Sequence, residues 1–386
     1  MRIESATLHC VRIPFRGSFG HALSSRSHSD AVLVELRDDQ GGVGWGEILP
    51  RAYVTGETIE GVLERSGPAL ARRLLGSELL DREAVLGWIR QTLPEVGREL
   101  ATFGGFEVAL LDLAGHRHGF SLASVLLADP TAEPGPALPP GVIIGFEVAT
   151  PDLKKHCVAL RFKGRTHVKV KVGRDDDPER LAMIARVFGP KVPLRLDANA
   201  AWSADEAVAR LAALREIPIA SIEQPVPADD LAGLRAIRER SGVPVMADES
   251  VCSLADAERL VAERAADIFN VRPGKHGGAI ASLQIVECAR AAGIGIHLGT
   301  LVGESGVLSR LAEVFGRCVP GFACLDGKGQ NRFLLESDVL RASDEPAAAS
   351  EGPAGLDAPG LGVEVDPQIV AQRRVGEPTR LLASGG

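Results

Sequence analysis

Residues 167–173 read HVKVKVG, a short apolar strand that carries two lysines and closes on glycine. The same kind of strand returns six times: PLRLDAN (193–199), ASIEQP (220–225), PVMADES (244–250), ADIFNVR (266–272), GIGIHLGT (293–300) and FACLDG (322–327). Amphipathic helical stretches separate them, and strands alternating with helices make parallel βαβ units. GVIIGF at 141–146 supplies one more strand at the front. The expected fold is therefore α/β, a (β/α)8-type barrel of the modified TIM kind. A doubly wound open sheet is the weaker alternative, because no Gly-x-Gly-x-x-Gly follows the first strand.

The chain upstream of the barrel reads differently. AVLVELRDDQGGVGWGE (31–47) is two apolar runs around an Asp-Asp-Gln-Gly-Gly turn, the pattern of a hairpin. Residues 57–120 have helical spacing, as in FEVALLDLAGHRHG (106–119). ADPTAEPGPALPPG (128–141) is rich in proline and alanine and marks a boundary. The expected division is an α+β capping domain over 1–125, a barrel over 126–325 and a C-terminal segment over 326–386. In that last segment ASDEPAAASEGPAGLDAPG (342–360) reads as a flexible loop, and LGVEV (361–365) as a final short strand. RGSFGHALSSRSHSD (16–30) reads as a Gly/Ser-rich loop placed to close over a substrate.

Composition narrows the function. The chain has 386 residues, 45% of them hydrophobic, which is room for a large core. A net charge of −8 disfavours nucleic acid and anionic membrane as partners. The six cysteines (Cys10, Cys157, Cys252, Cys288, Cys318, Cys324) lack any Cys-x-x-Cys, which suits a reducing cytoplasm. No signal-peptide core and no membrane-length apolar run is present, so the expected partner is a small molecule.

The last polar residues of consecutive strands form a series: Lys169 and Lys171, then Asp197, Glu223, Asp248 and Arg272. From Lys171 onward the steps are 26, 26, 25 and 24 residues. Such a period puts one side chain from each strand at the same mouth, the C-terminal face where barrel enzymes keep their chemistry. A lone acidic residue at a strand end is more often a helix cap; three in register converge. Three converging carboxylates need a cation, and hard oxygen donors from separate strands fit Mg2+, or Mn2+ in its place, rather than zinc. Lys169 and Lys171 are two residues apart and share one face of their strand. In a mostly apolar barrel interior, two inward lysines need carboxylates or a task.

These segments resemble the enolase superfamily, muconate-lactonizing-enzyme subgroup, over nearly the whole chain. KVK is similar to the subgroup's Lys-x-Lys motif; DAN, EQP and ADES are similar to its three metal-ligand segments. GWGEILPRAYVTGET (44–58) resembles part of its capping domain, and GTLVGES (299–305) its strand-seven exit with a glutamate, here Glu304. PGLGVEV (359–365) resembles the closing stretch that returns to the cap. The resemblance implies a homo-oligomeric enzyme that binds a small carboxylate through Mg2+ on Asp197, Glu223 and Asp248. It also implies removal of the proton α to that carboxylate, with Lys171 as base and Lys169 as neighbouring cation.

One position departs from the pattern. In FNVRPGKHGG (269–278) the residue where most members carry a second lysine is Arg272. A guanidinium supplies charge but does not shuttle protons. The departure favours one-base outcomes, cycloisomerisation or β-elimination, over epimerisation of an amino acid or dipeptide. A non-catalytic carboxylate-binding relative is the remaining alternative. Lys275 and His297 are the candidates for a second base or a substrate contact. Asp326 stands in CLD, where dipeptide epimerases carry Asp-x-Asp to grip an ammonium, so half of that clamp is missing.

Overall fold

The computed structural model describes residues 1–21, 24–129, 131–146, 148, 150–341 and 355–383. The chain starts with a long antiparallel hairpin, β1 (Ile3–His21) and β2 (Ser24–Asp38), extended on the β2 side by β3 (Val43–Ile48). Residues 16–30, expected as a loop, are largely the far arm of this hairpin: Phe19 faces Arg26 and His21 faces Ser24 in register. Residues 22 and 23 of that segment lie outside the described residues.

Eight parallel strands close the barrel. They are β4 (Pro140–Ile144), β5 (Val168–Lys171), β6 (Leu194–Asp197), β7 (Ile219–Glu223), β8 (Val245–Ala247), β9 (Ile268–Val271), β10 (Gly295–Leu298) and β11 (Leu325–Asp326). Their order around the barrel is β10-β11-β4-β5-β6-β7-β8-β9. Alternation does the sorting. On β5, Val168 and Val170 pack outward under the helices, while Lys169 and Lys171 point inward and stay buried.

The C-terminal segment returns to the first domain. Glu336 donates to the Pro14 carbonyl, Arg16 donates to the Leu334 carbonyl, and β12 (Thr379–Leu382) pairs with β1. The cap sheet is thus ordered β12-β1-β2-β3. The final strand is TRLL and not LGVEV. Left-handed Gly360 and Gly362 and the helix start at Pro367 break an extended run there, leaving one bridge from Val365 to Leu340. Residues 342–354 of the expected flexible loop lie outside the described residues. Among the described residues no helix is long and apolar enough to cross a membrane.

The helix Leu100–His118 joins cap to barrel and is buried on almost every side. It lies so close to β3 that a Cβ on Gly46 would stand 1.9 Å from the Gly105 carbonyl oxygen. Two cap glutamates reach across and cap barrel helices. Glu107 accepts from the Ala279 and Ile280 amides (2.6 and 2.8 Å) at the start of Gly278–Ala291. Glu47 accepts from the Ser305 amide (3.0 Å), the Ser305 hydroxyl (2.6 Å) and the Leu308 amide (3.2 Å) at the start of Gly306–Cys318. Orphan amides and the helix dipole both favour a carboxylate there. Burial opposes it and pushes each carboxyl up to about 7.

Gly278 is the most sensitive point of this contact. It has φ +94°, and an added Cβ would fall 1.8 Å from Glu107 Oε2. Gly278→Ala is expected to cost about 2–3 kcal/mol through backbone strain and a lost cap. Denaturant unfolding checks this, and an unchanged unfolding free energy would mean that the two domains are not held together here.

Candidate active site

The predicted strand-end residues meet at one mouth. The Cα register pairs Lys171 with Asp197 and Asp197 with Glu223, so the three sit side by side on β5, β6 and β7. Asp248 and Arg272 follow directly after β8 and β9. All three carboxylates are buried, with Asp197 2%, Glu223 0% and Asp248 1% exposed.

Cations are wedged between them. Lys169 Nζ donates to Glu223 at 3.1 Å and lies 3.4 Å from Asp197 Oδ2. Lys171 Nζ lies 3.4 Å from the same Asp197 oxygen and donates to Asn199 Oδ1 at 2.5 Å. Arg272 donates to Glu223 Oε1 at 3.2 Å and to Asp248 Oδ2. Burial pulls the Lys169 ammonium down, but Glu223, Asp197 and Asp326 outweigh it and hold it above the ordinary lysine value. Burial raises Asp248, yet Arg272 and Lys275 win and hold it well below the usual carboxylate range. On Glu223 burial wins and the carboxyl is raised.

β5 and β9 are four strands apart in an eight-stranded barrel, so Lys171 and Arg272 face one another across the mouth. Neither candidate for a second base has a lone pair to offer. Lys275 is fully buried and spends its three donors on the Asp248 carbonyl (2.6 Å), Asp248 Oδ1 (2.9 Å) and the Asn270 carbonyl (3.4 Å). His297 lies one pleat deeper. Burial and Arg195 push its imidazole down to about 4, so it is neutral and its Nε2 accepts from Arg195 Nη1 at 2.8 Å.

Asp326 faces the same way. It takes both arms of Arg195, at 2.7 and 2.9 Å, and lies 3.6 Å from Lys169 Nζ. Asp326 and His297 therefore belong to an ion-pair layer inside the barrel. Among the described residues, His297, Cys324 and Asp326 form the one His/Cys/Asp/Glu trio whose ligand atoms lie within 4.8 Å of one another. The Arg195 guanidinium already reaches all three, so a positive charge holds them and a metal has no place. The expectation of a mostly apolar barrel interior is corrected by this layer.

The mouth suits a hard divalent ion. Its donors are three buried carboxylates from adjacent strands, and no histidine or cysteine stands among them. Glu249, next to Asp248, has an Oε2 that is buried without a hydrogen-bond partner. Burial and the Asp248, Asp197 and Glu223 charges push that carboxyl up to about 8, the condition that an added cation relieves.

A family profile described as Enolase C-terminal domain-like matches residues 152–369. L-Ala-D/L-Glu epimerase of Bacillus subtilis (strain 168) is 30% identical over 308 residues, 78% of this chain and 81% of the relative. The chain belongs to the enolase superfamily. o-Succinylbenzoate synthase of the same organism is 27% identical over 376 residues, 96% of each chain. Among solved structures, dipeptide epimerase from Enterococcus faecalis V583, complexed with Mg and the dipeptide L-Leu-L-Tyr, superposes with a TM-score of 0.80. It is 25% identical, and the match covers 94% of this chain and all of that one.

Within this superfamily member, several site residues escaped the sequence reading. Gln224 is held at φ +36° directly after Glu223. Its Oε1 accepts from the Asp248 and Ser250 amides, and its Nε2 donates to Ser250 Oγ, so it ties the β7 exit to the β8 exit. Asn270 donates to Glu223 at 2.9 Å. Arg195 and Asn270 were open to detection: each stands two residues before a mouth residue, on the inward face, by the same phase that identifies Lys169.

Proposed function

We propose that this protein is a Mg2+-dependent enzyme that removes the proton α to a substrate carboxylate, with Lys171 as its one base. Cycloisomerisation or β-elimination is then the outcome. The observation that carries the reading is the guanidinium of Arg272 facing Lys171 across the mouth, with the three donors of Lys275 and the Nε2 of His297 already taken.

Asp197, Glu223 and Asp248 would hold Mg2+, or Mn2+ in its place, as the Mg in the Enterococcus epimerase supports. Bound there, the ion supplies positive charge to the carboxylate of the substrate, without which its α-proton is too weakly acidic to remove. Lys171 takes the proton from the β5 side. Asn199, at φ +45° after β6, aims its side-chain oxygen at Lys171 Nζ and fixes where that nitrogen sits. Lys169 shares Asp197 Oδ2 and remains the charged neighbour. Arg272 offers a fixed cation on the opposite face.

Glu304 follows β10 at the same end of the barrel. It is 2% exposed, takes the Leu301 amide on Oε1 at 2.7 Å, and leaves Oε2 without a partner. Burial and the nearby Glu47 push its carboxyl up to about 8. It is therefore protonated at neutral pH and can donate to a substrate oxygen. The sign follows: the donor is present below about 8 and is lost as the pH rises through it. The rate should fall over that limb in the wild type, and Glu304→Gln, which keeps a donor at every pH, should flatten it. A limb that survives Glu304→Gln unchanged assigns the titration elsewhere.

The epimerase relatives favour a second reading, amino-acid or dipeptide epimerisation. Mg2+-dependent exchange of substrate α-protons with D2O separates the two when run across N-acyl amino acids, dipeptides and lactones. A one-base enzyme exchanges one stereoisomer; an epimerase washes deuterium into both. No exchange with any carboxylate would remove the enzymatic reading. The scattered free cysteines suit a cytoplasmic enzyme, and we expect a homo-oligomer.

A further inference from the structure

Gly299 directly follows β10, and its backbone does not require glycine. Its φ is outside the left-handed region, so other residues could adopt the same backbone. What requires glycine there is space. Its amide donates to the Val271 carbonyl at 2.9 Å, which continues the parallel register of β9 and β10 and sets it beside Arg272. A Cβ on residue 299 would stand 2.5 Å from Asn270 Oδ1, 3.1 Å from Arg272 Nε and 3.3 Å from Arg272 Cγ. The room that a side chain would take is the room in which Arg272 lies.

Neither neighbour can step aside without loss. Asn270 is 0% exposed, and its Nδ2 donates to Glu223 Oε1 at 2.9 Å. Arg272 makes both of its carboxylate bonds through Nη2, to Glu223 Oε1 and to Asp248 Oδ2, while its Nε has no hydrogen-bond partner. Bonds at a single nitrogen fix a point and not a plane, so they leave the guanidinium able to pivot about Nη2. Packing has to fix the rest of the side chain, and Gly299 is the floor under Nε and Cγ. An added methyl group would press on Asn270 and lift Arg272 off that floor.

We propose that Gly299 is a positioning residue for Arg272: the bare strand end at 299 lets the guanidinium lie across the mouth from Lys171, so that the two residues act as one unit. Its catalytic consequence rests on the one-base reading above; its packing consequence does not.

The test is a double-mutant cycle on the full-length protein, with Gly299→Ala and Arg272→Ala alone and together, read first by melting without metal or substrate. Gly299→Ala alone should lower the melting temperature by about 2–5 °C, as overpacking of a tight site does in a chain of this size. In the Arg272→Ala background at least half of that loss should disappear, because Asn270 can turn into the room that Arg272 leaves. If Gly299→Ala does not fold, recovery of folding in the double variant supports the pairing and its failure overturns it. An unchanged melting temperature in Gly299→Ala, or the same loss in both backgrounds, would also overturn it. The second arm is α-proton exchange with Mg2+ and the carboxylate that exchanges fastest in the wild type. Gly299→Ala should slow exchange by about 10²-fold, the cost of misplacing a group by about 1 Å, but by no more than about 10-fold further in Arg272→Ala. Coupled melting with equal slowing in both backgrounds would reduce Gly299 to a packing contact and end the positioning role. Coupled melting in a protein that exchanges no carboxylate would keep the pairing of Gly299 with Arg272 and remove only the one-base reading.

Discussion

Lys171→Ala will slow α-proton exchange by about 10²- to 10⁴-fold, the range that a positioned general base supplies. The expectation rests on the lack of a substitute. Lys169 is 4% exposed and locked on Glu223 and Asp197, and the carboxylates hold it charged. Lys275 has no donor or lone pair to spare, and His297 lies a layer below with its Nε2 on Arg195. The measurement is loss of the α-proton signal in D2O with whichever carboxylate exchanges fastest in the wild type. Mn2+ affinity should change little, since Lys171 lies 3.4 Å from only one ligand carboxylate and its loss removes no oxygen donor. That split distinguishes a lost base from a collapsed metal site. Exchange at near wild-type rate would sink Lys171 as the base; exchange and Mn2+ affinity falling together would recast it as a prop for Asp197.

The barrel and its mouth were legible because both depend on periodicity. A parallel strand that must bury both faces and end at a common rim repeats at the length of one βα unit, and Lys171, Asp197, Glu223, Asp248 and Arg272 keep that period. Arg195 and Asn270 sit in the same phase but one pleat deeper. They went unread because a strand-interior arginine looks out of place until its carboxylate, Asp326 on β11, is seen beside it. Asp326 itself shows a limit of local reading. In the sequence CLD it is a turn residue or half a clamp; only barrel closure, which brings β11 next to β4 and across from β6, turns it toward Arg195. The cap–barrel contacts were equally hidden. Glu47 and Glu107 find their amides 258 and 172 residues downstream, and no spacing rule reaches that far. The 16–30 segment misled for a different reason. Its Gly/Ser content suggests a loop, whereas pairing across a long hairpin extends the strands through most of it.

Arg272 is where this chain departs from its family pattern, and its replacement should change the stereochemistry as well as the rate. In Arg272→Ala the site loses the guanidinium that bonds Glu223 and Asp248. By analogy with removing one donor from an oxyanion site, exchange should slow by about 10²- to 10³-fold while the exchanging face stays the same. Arg272→Lys restores a residue that can give up a proton. Burial lowers a cation at this position while Asp248 and Glu223 raise it, and for arginine the carboxylates win, leaving the guanidinium permanently charged. A lysine with a shorter reach and a lower starting value has a proton to exchange where arginine has none in practice. The variant should therefore carry deuterium into both stereoisomers of a chiral α-carbon, slowly but measurably, where the wild type labels one. Stereoisomers resolved by chiral chromatography and mass spectrometry give the answer directly. Wild-type enzyme labelling both faces at comparable rates would mean that a second base exists in spite of Arg272, and the one-base reading would have to be given up. Arg272→Lys labelling one face only, with wild-type selectivity, would mean that position 272 acts through charge alone and that the missing partner face is closed by geometry.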